Sequence, residues 1–243
     1  WKANRRHGAG HFTTSDGVYD GLYANDARQG RGTMHYADGS SYVGLWQDDY
    51  RHGEGAQYFD AQNNIYYEIG FDHDAMVGYG VAQYRALHEV YKGEFLANVR
   101  HGEGTLTMSN GDAFTGQWLD DAREDGQGVC VFANGDRYEG QWVNRQRSGS
   151  GTCWFADTSR YEGEWLDDFP CGEGTLFTRT GDQITSMWRN GERVDGKGKC
   201  VFANGNIYEG EWMHNEPHGQ GTLVYPDGTV FEGRFEHGIY RLQ

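Results

Sequence analysis

The chain has 243 residues, and 36 acidic against 21 basic side chains give it a formal net charge of −15. That balance, with no run of Lys or Arg, speaks against nucleic acid as a partner, and no stretch approaches the roughly 20 apolar residues of a membrane-spanning helix or reads as a secretory leader. Glycine supplies 38 residues and proline 3, while aromatics make up 15% within a hydrophobic total of 37%, a composition of strands and tight turns rather than packed helices.

From the first residues onward one figure repeats. Trp1 fits the end of an aromatic motif that begins earlier, so the chain reads as a fragment of a longer protein. An aromatic anchor then begins at Tyr19, Tyr42, Tyr67, Tyr91, Phe114, Tyr138, Tyr161, Ile184, Tyr208 and Phe231, a period of 23 to 25 residues. A Gly-x-Gly pair keeps step with it, starting at Gly8, Gly30, Gly53, Gly78, Gly102, Gly126, Gly149, Gly172, Gly196 and Gly219. Two interlocked ladders of this length define a repeat array over residues 1–243 of about ten units.

Each unit predicts two short strands. In Tyr208-Glu209-Gly210-Glu211-Trp212 alternation sends Tyr208, Gly210 and Trp212 to one face and both glutamates to the other. Gly221, Leu223 and Tyr225 share a face of the next strand by the same rule. Between units stand Asp38-Gly39, Asn110-Gly111, Asn134-Gly135, Asn204-Gly205 and Asp227-Gly228, with Asp16-Gly17 displaced by one, and these read as two-residue type I′ turns. The expected fold is all-β: an elongated, single-layer antiparallel meander of tandem hairpins, twisted and grooved. About 20 strands at 4.7–4.9 Å would extend on the order of 95 Å. The anchor glycines make room for bulky neighbours packing across them.

The unit Tyr161-Glu162-Gly163-Glu164-Trp165 followed by Gly172-Glu173-Gly174-Thr175 resembles the MORN-repeat family, as does the stretch from Tyr208 to Thr222. The resemblance covers essentially the whole chain. It implies a structural scaffold and protein-interaction module of cytoskeletal, ciliary or membrane-junction assemblies, in the cytoplasm, with phosphoinositide or membrane-surface binding as the alternative role. Two units depart from the pattern: Ile69 replaces the anchor glycine, with residues 58–90 expected to be irregular, and Ile184-Thr185-Ser186-Met187-Trp188 lacks both Tyr and Gly, making 180–190 a second irregular stretch.

Chemistry is sparse. The Gly-x-Gly pairs open strands rather than the helix of a phosphate loop. The carboxylates Glu139, Glu162, Glu164, Glu209 and Glu211 recur by repeat geometry, and no nucleophilic triad is recognisable, so no enzyme, cofactor or metal is expected. Cys130, Cys153 and Cys200 take places held elsewhere by leucine, as small fillers in a reducing compartment. His7, His52, His101 and His218 precede Gly-x-Gly as hairpin-end residues, with zinc between chains, aided by Cys171 or a turn aspartate, as the alternative.

The aromatics are the richest feature. Tyr42, Trp46, Phe114, Trp118, Tyr138, Trp142, Tyr161, Trp165, Trp188, Tyr208 and Trp212 are the expected protein-binding groove, suited to extended or helical segments carrying basic residues. The last unit has no following Gly-x-Gly, and Phe231, Phe235 and Tyr240 form the expected edge of a homodimer. Membrane lipid is disfavoured by the net charge.

Overall fold

The computed structural model describes residue 2 and residues 4–241, all strand, turn or loop. No helix of the described residues is long and apolar enough to cross a membrane. Contacts divide the chain into two compact units, residues 1–124 and 125–243. The first contains β1 (Gly8–Thr14), β2 (Gly17–Ala24), β3 (Ala27–Tyr36), β4 (Ser41–Gln47), β5 (Tyr50–Asp60), β6 (Ile65–Asp72), β7 (Ala75–Tyr84), β8 (Glu89–Leu96), β9 (Val99–Thr107) and β10 (Ala113–Leu119). The second contains most of β11 (Ala122–Val131), then β12 (Arg137–Val143), β13 (Gln146–Trp154), β14 (Arg160–Leu166), β15 (Phe169–Phe177), β16 (Gln183–Arg189), β17 (Glu192–Val201), β18 (Ile207–Met213), β19 (Glu216–Val224), β20 (Val230–Glu236) and β21 (Ile239–Arg241). Within each unit every strand pairs antiparallel with its neighbours in sequence, the meander that the hairpin pattern predicts.

The turns differ from the sequence expectation. Asp38-Gly39 belongs to a three-residue loop, not a two-residue one: Gly39 N–H donates to Tyr36 O at 3.1 Å, Tyr36 N–H donates to Ser40 O at 2.9 Å, and Asp38 Oδ1 accepts from Ser40 N–H at 2.9 Å. Only the glycine needs positive φ there, 90° at Gly39, as in a type I turn closed by a left-handed residue. The two-residue primed turns lie at the other ends of the strands and mostly lack glycine. Asn25-Asp26 has φ of 52° and 78°, Asp48-Asp49 49° and 71°, and Asp167-Asp168 48° and 73°. Asn, Asp and His tolerate this region better than other side chains, so the residue types still explain the turn, though not through glycine.

A row of glycines crosses the strands of each unit. In the second unit Gly128, Gly140, Gly151, Gly163 and Gly174 are successive cross-strand partners, then Ser186 interrupts, and Gly198, Gly210, Gly221 and Gly233 continue. The anchor tyrosine lies over this row. Tyr42 Oη donates to Leu45 O at 2.8 Å, Tyr138 Oη to Gln141 O at 3.1 Å and Tyr208 Oη to Glu211 O at 2.8 Å, each hydroxyl bridging its own strand three residues on. A Cβ on Gly93 would stand 2.5 Å from both Gly104 Cα and the Tyr91 hydroxyl. Burial keeps these phenols protonated, pushing Tyr42, Tyr91 and Tyr208 up to about 12.

Repeats are joined by the rings. Trp165 stands edge-on between Tyr161 of its own unit at 5.3 Å and Tyr138 of the preceding unit at 5.2 Å. Trp46 is held likewise by Tyr42 at 5.1 Å and Tyr19 at 5.4 Å. Such T-shaped pairs contribute about 0.5–1.5 kcal/mol each beyond their area burial. The indole N–H of Trp142 donates to Gly128 O at 3.1 Å and that of Trp165 to Gly151 O at 3.1 Å, satisfying a buried donor.

Residues 58–90, expected to be irregular, carry regular strands through β6 and β7. The change lies in the 61–64 and 85–88 loops, each of four residues, in a register shift of β5 on β6 between Gly53 and Ala56, with Gly55 at φ of 69°, and in the packing of Ile69. That side chain is buried and fills the space over Gly80 that a tyrosine fills elsewhere, while Tyr67 turns to stack on Tyr58 at 5.8 Å. Residues 180–190 likewise contain strand β16, paired on both sides.

Gly93→Ala should therefore destabilise by about 1–3 kcal/mol, the usual cost of overpacking. Gly10→Ala, whose Cβ would meet only ordinary contacts at 3.8–4.0 Å, should be neutral or stabilising by up to about 1 kcal/mol. Thermal denaturation of the two variants measures the difference; equal melting temperatures would contradict the packing role of the row.

Candidate functional site

Each sheet has one face made by the anchors. Tyr42, Trp46, Phe114, Trp118, Tyr138, Trp142, Tyr161, Trp165, Tyr208 and Trp212 lie on it at no more than 5% exposure, because every ring is spent on its neighbours. Trp188 is half-buried. These rings form the floor of their face. What rises above the floor is a set of arginines that the sequence reading passed over as scattered.

Arg28 shows how the set is built. Its backbone N–H and its Nε donate to Asp49 Oδ1 at 2.8 and 3.0 Å, its Nη2 donates to Asp49 O at 2.7 Å, and its guanidinium lies 3.9 Å over the Trp46 ring. One arginine thus caps the turn of the next repeat and covers that repeat's tryptophan. Arg51 with Asp74, Arg100 with Asp121 and Arg147 with Asp168 repeat the arrangement. The signal was present in sequence as an arginine two residues before Gly30, Gly53, Gly102 and Gly149, and an Asp ending the following turn.

From β11 to β19 Arg147 keeps this arrangement while Glu124, Pro170, Val194 and Pro217 hold the equivalent places, and one anchor of the second unit is also altered. Ile184 stands where an anchor tyrosine would, so Gly198 faces Trp212 Cδ1 and Ser186 Oγ in place of a tyrosine ring, and Ser186 occupies the row itself with its Oγ buried and unpartnered. Trp188 keeps Tyr161 at 5.2 Å. A cleft of about 870 Å³ opens, lined by Leu176, Ile184, Trp188, Cys200, Phe202 and Trp212, with Asp182, Glu192 and Asp195 at its rim. Arg193 lies in it, 3.8 Å over the Trp212 ring. Asp195 is engaged elsewhere, accepting from His214 N–H at 2.8 Å. The Arg193 Nη2 is buried and has no hydrogen-bond partner, and desolvation lowers its pKa from the ordinary arginine value. An unsatisfied guanidinium nitrogen in an apolar cleft favours an incoming oxygen acceptor.

The first unit has a smaller cleft on its aromatic face, about 610 Å³, floored by Tyr19, Tyr23 and Trp46 and edged by Phe12 and Tyr36. Its arginines Arg6, Arg28 and Arg51 are all paired with aspartates.

The cysteines are free thiols. Burial pushes Cys153 and Cys200 up to about 11, so neither supplies a thiolate at neutral pH, in keeping with the filler role. At the end of the second unit Phe235 is core, 4.9 Å from the Tyr208 ring. Tyr240 on β21 packs against Phe231 and Phe235 at 5.3 and 5.4 Å and lies over Gly233. Two of the three expected edge residues therefore close the last repeat, while Phe231 is 37% exposed.

The family model for the MORN repeat matches residues 1–18, 19–41, 42–60, 91–113, 114–137, 138–160, 161–183, 186–207 and 208–230. The chain belongs to the MORN-repeat family. Residues 61–90, left unmatched, contain the Ile69 unit, whose strands nonetheless continue the MORN pairing. Residues 184–185, also unmatched, are the altered anchor of the cleft. Comparison with curated protein sequences gave no match. Among solved structures, the TCP10 domain of Danio rerio CPAP, in complex with a peptide of STIL, is similar at 15% identity and a TM-score of 0.40, covering 93% of this chain and 98% of that one. The TCP domain of Drosophila melanogaster SAS-4, in complex with a proline-rich motif of Ana2, is similar at 13% identity and a TM-score of 0.29, covering 84% and 90%.

Proposed function

We propose that this MORN-repeat chain is a non-catalytic interaction scaffold that holds an extended segment of another protein in the cleft beside Ile184. The observation that carries the reading is Arg193, a half-buried side chain whose solvent-shielded Nη2 lacks a partner in a cleft that joins Leu176, Ile184, Phe202 and Trp212 to acidic residues. A peptide in extended form offers a backbone carbonyl to it and apolar side chains to Phe202, Leu176 and Trp188. The rim carboxylates Asp182, Glu192 and Asp195 favour basic residues in the same segment. Family membership supports a cytoskeletal assembly in the cytoplasm as the setting.

Binding to inositol lipids is the weaker reading. Arg6, Arg28, Arg51, Arg100, Arg137, Arg147, Arg160 and Arg234 all have carboxylate partners, and the net charge of −15 repels an anionic surface.

Selection from a displayed library of linear peptides tests the proposal. Recovered peptides should combine apolar and basic residues. Arg193→Gln and Phe202→Ala should each weaken them about tenfold or more, as hydrogen bonds to charged groups contribute roughly 1.5–3 kcal/mol. Peptides that bind both variants as tightly as the parent, or sedimentation with phosphoinositide vesicles at physiological salt without peptide binding, would overturn it.

Self-association through β20 belongs to the same proposal. Among the described residues β21 pairs with that strand from Arg234 to Glu236, and the exposed Val230 and Phe231 would be covered by a strand from a second copy. Light scattering at micromolar concentration should give the mass of a dimer, reduced to a monomer by Phe231→Lys. A monomeric mass for the parent would remove this element.

A further inference from the structure

The opposite face of the first unit carries a group that neither the repeat nor the cleft explains. His52 on β5, Asp72 at the end of β6 and His73 in the following turn each present one ligand atom, all within 4.8 Å of one another. Asp72 Oδ1 is 2.6 Å from His73 Nδ1 and 3.3 Å from His52 Nδ1. The first of these is a hydrogen bond. The second is too far off line to be one, and His52 Nδ1 remains shielded from solvent with no hydrogen-bond partner.

Two of the three positions are held by histidine in other units as well, His52 sharing the place of His7, His101 and His218 and His73 that of His214 and His237, so what is particular to this unit is that an aspartate joins them. The place of Asp72 belongs to Leu96, Leu119, Val143 and Leu166 in four other units and to Glu236 in the last. His73 sits at positive φ, 46°, in the first place of a two-residue turn, and its ring stands 5.7 Å from that of His52, across the sheet from Arg51 and Asp74. Two imidazoles and a carboxylate are the donor set of a borderline divalent ion. At metal–ligand bonds of about 2.0–2.1 Å, tetrahedral ligand atoms stand roughly 3.4 Å apart, close to the spacing already present between His52 and Asp72. A ring rotation at His73, exposed in its turn, replaces the hydrogen bond to Asp72 by a bond to the ion.

We propose that His52, Asp72 and His73 bind a divalent transition metal ion such as zinc, with water completing the coordination. The ion clamps the turn of one repeat to the strand of the preceding one. A related pair in the last repeat serves as an internal control. His218 and His237 approach with ring centroids 6.0 Å apart, Glu216 lies 3.1 Å from His237 across the turn and Glu236 holds the place of Asp72, but among the described residues no carboxylate there forms with both rings a group of the spacing that Asp72 makes.

Zinc chloride titrated into the chelator-treated full chain, followed by calorimetry, tests the site. One equivalent should bind with micromolar affinity, weakened at least tenfold by His52→Ala, His73→Ala or Asp72→Asn and unchanged by His237→Ala. All four substitutions are at turn or strand-end positions, and far-UV circular dichroism verifies that each variant folds. X-ray absorption of the zinc-loaded chain should show a first shell of nitrogen and oxygen near 2.0–2.1 Å, not sulfur near 2.3 Å. No binding, binding indifferent to His52 and His73, or a sulfur shell would each overturn the proposal.

Discussion

The structure depends on one contact, a tyrosine ring laid across a pair of glycines. In Tyr138 over Gly140 and Gly151, the ring takes the volume that two side chains would otherwise occupy, and its hydroxyl reaches the Gln141 carbonyl on the far side. Only glycine allows that approach. The ring held there offers its edge or face to the tryptophans before and after it, so Trp142 and Trp165 are positioned by the same tyrosine. A single-layer sheet has no second layer to bury its aromatic residues. Here the rings bury one another, which is how a chain with a hydrophobic content of only 37% acquires a continuous core.

The two departures from the repeat have opposite physical outcomes. At Ile69 an aliphatic side chain enters the glycine row and occupies the space over Gly80, so the array closes around the change. At Ile184 the ring itself is lost while the row receives only a serine, and Trp212 Cδ1 and the Ser186 hydroxyl are the side-chain atoms that approach Gly198, with an open cleft beside them. The cleft and the half-buried Trp188 accompany that deficit, and Arg193 lies in the opening over Trp212. A repeat array gains a local site in this way without any new loop or domain: one anchor shrinks, and the residues that covered it are left facing solvent.

The fold was legible because its determinants are local and periodic. Anchors such as Tyr161 and Trp165 alternate with glutamates at the spacing of a half-buried strand, and the glycines fall where rings need room. The turns were misread because glycine was taken as the only source of positive φ, whereas Asn25-Asp26 and Asp48-Asp49 adopt it with side chains that Arg6 and Arg28 then bind. The arginine ladder was missed for a related reason: its members are one full repeat apart in sequence and meet only when adjacent hairpins pair. The cleft was half visible. Ile184 and Ser186 could be seen as a broken unit, but a sequence does not tell whether a lost ring is refilled, as at Ile69, or left open. Which rings of the expected groove are exposed was not legible either: ten of the eleven are core and Trp188 is half-exposed, because each ring is covered by residues a repeat away.

Restoring the lost contact is the most direct test of this account. The double substitution Ile184→Tyr with Ser186→Gly rebuilds the ring over the glycine row, supplies Trp212 with the partner that Tyr138 gives Trp165, and fills the cleft. Differential scanning calorimetry should show a melting temperature raised by about 2–6 °C, the shift expected for roughly 1–2 kcal/mol in a chain of this size. A melting temperature unchanged or lowered in the double variant would contradict the claim that the tyrosine over its glycine pair holds successive repeats together.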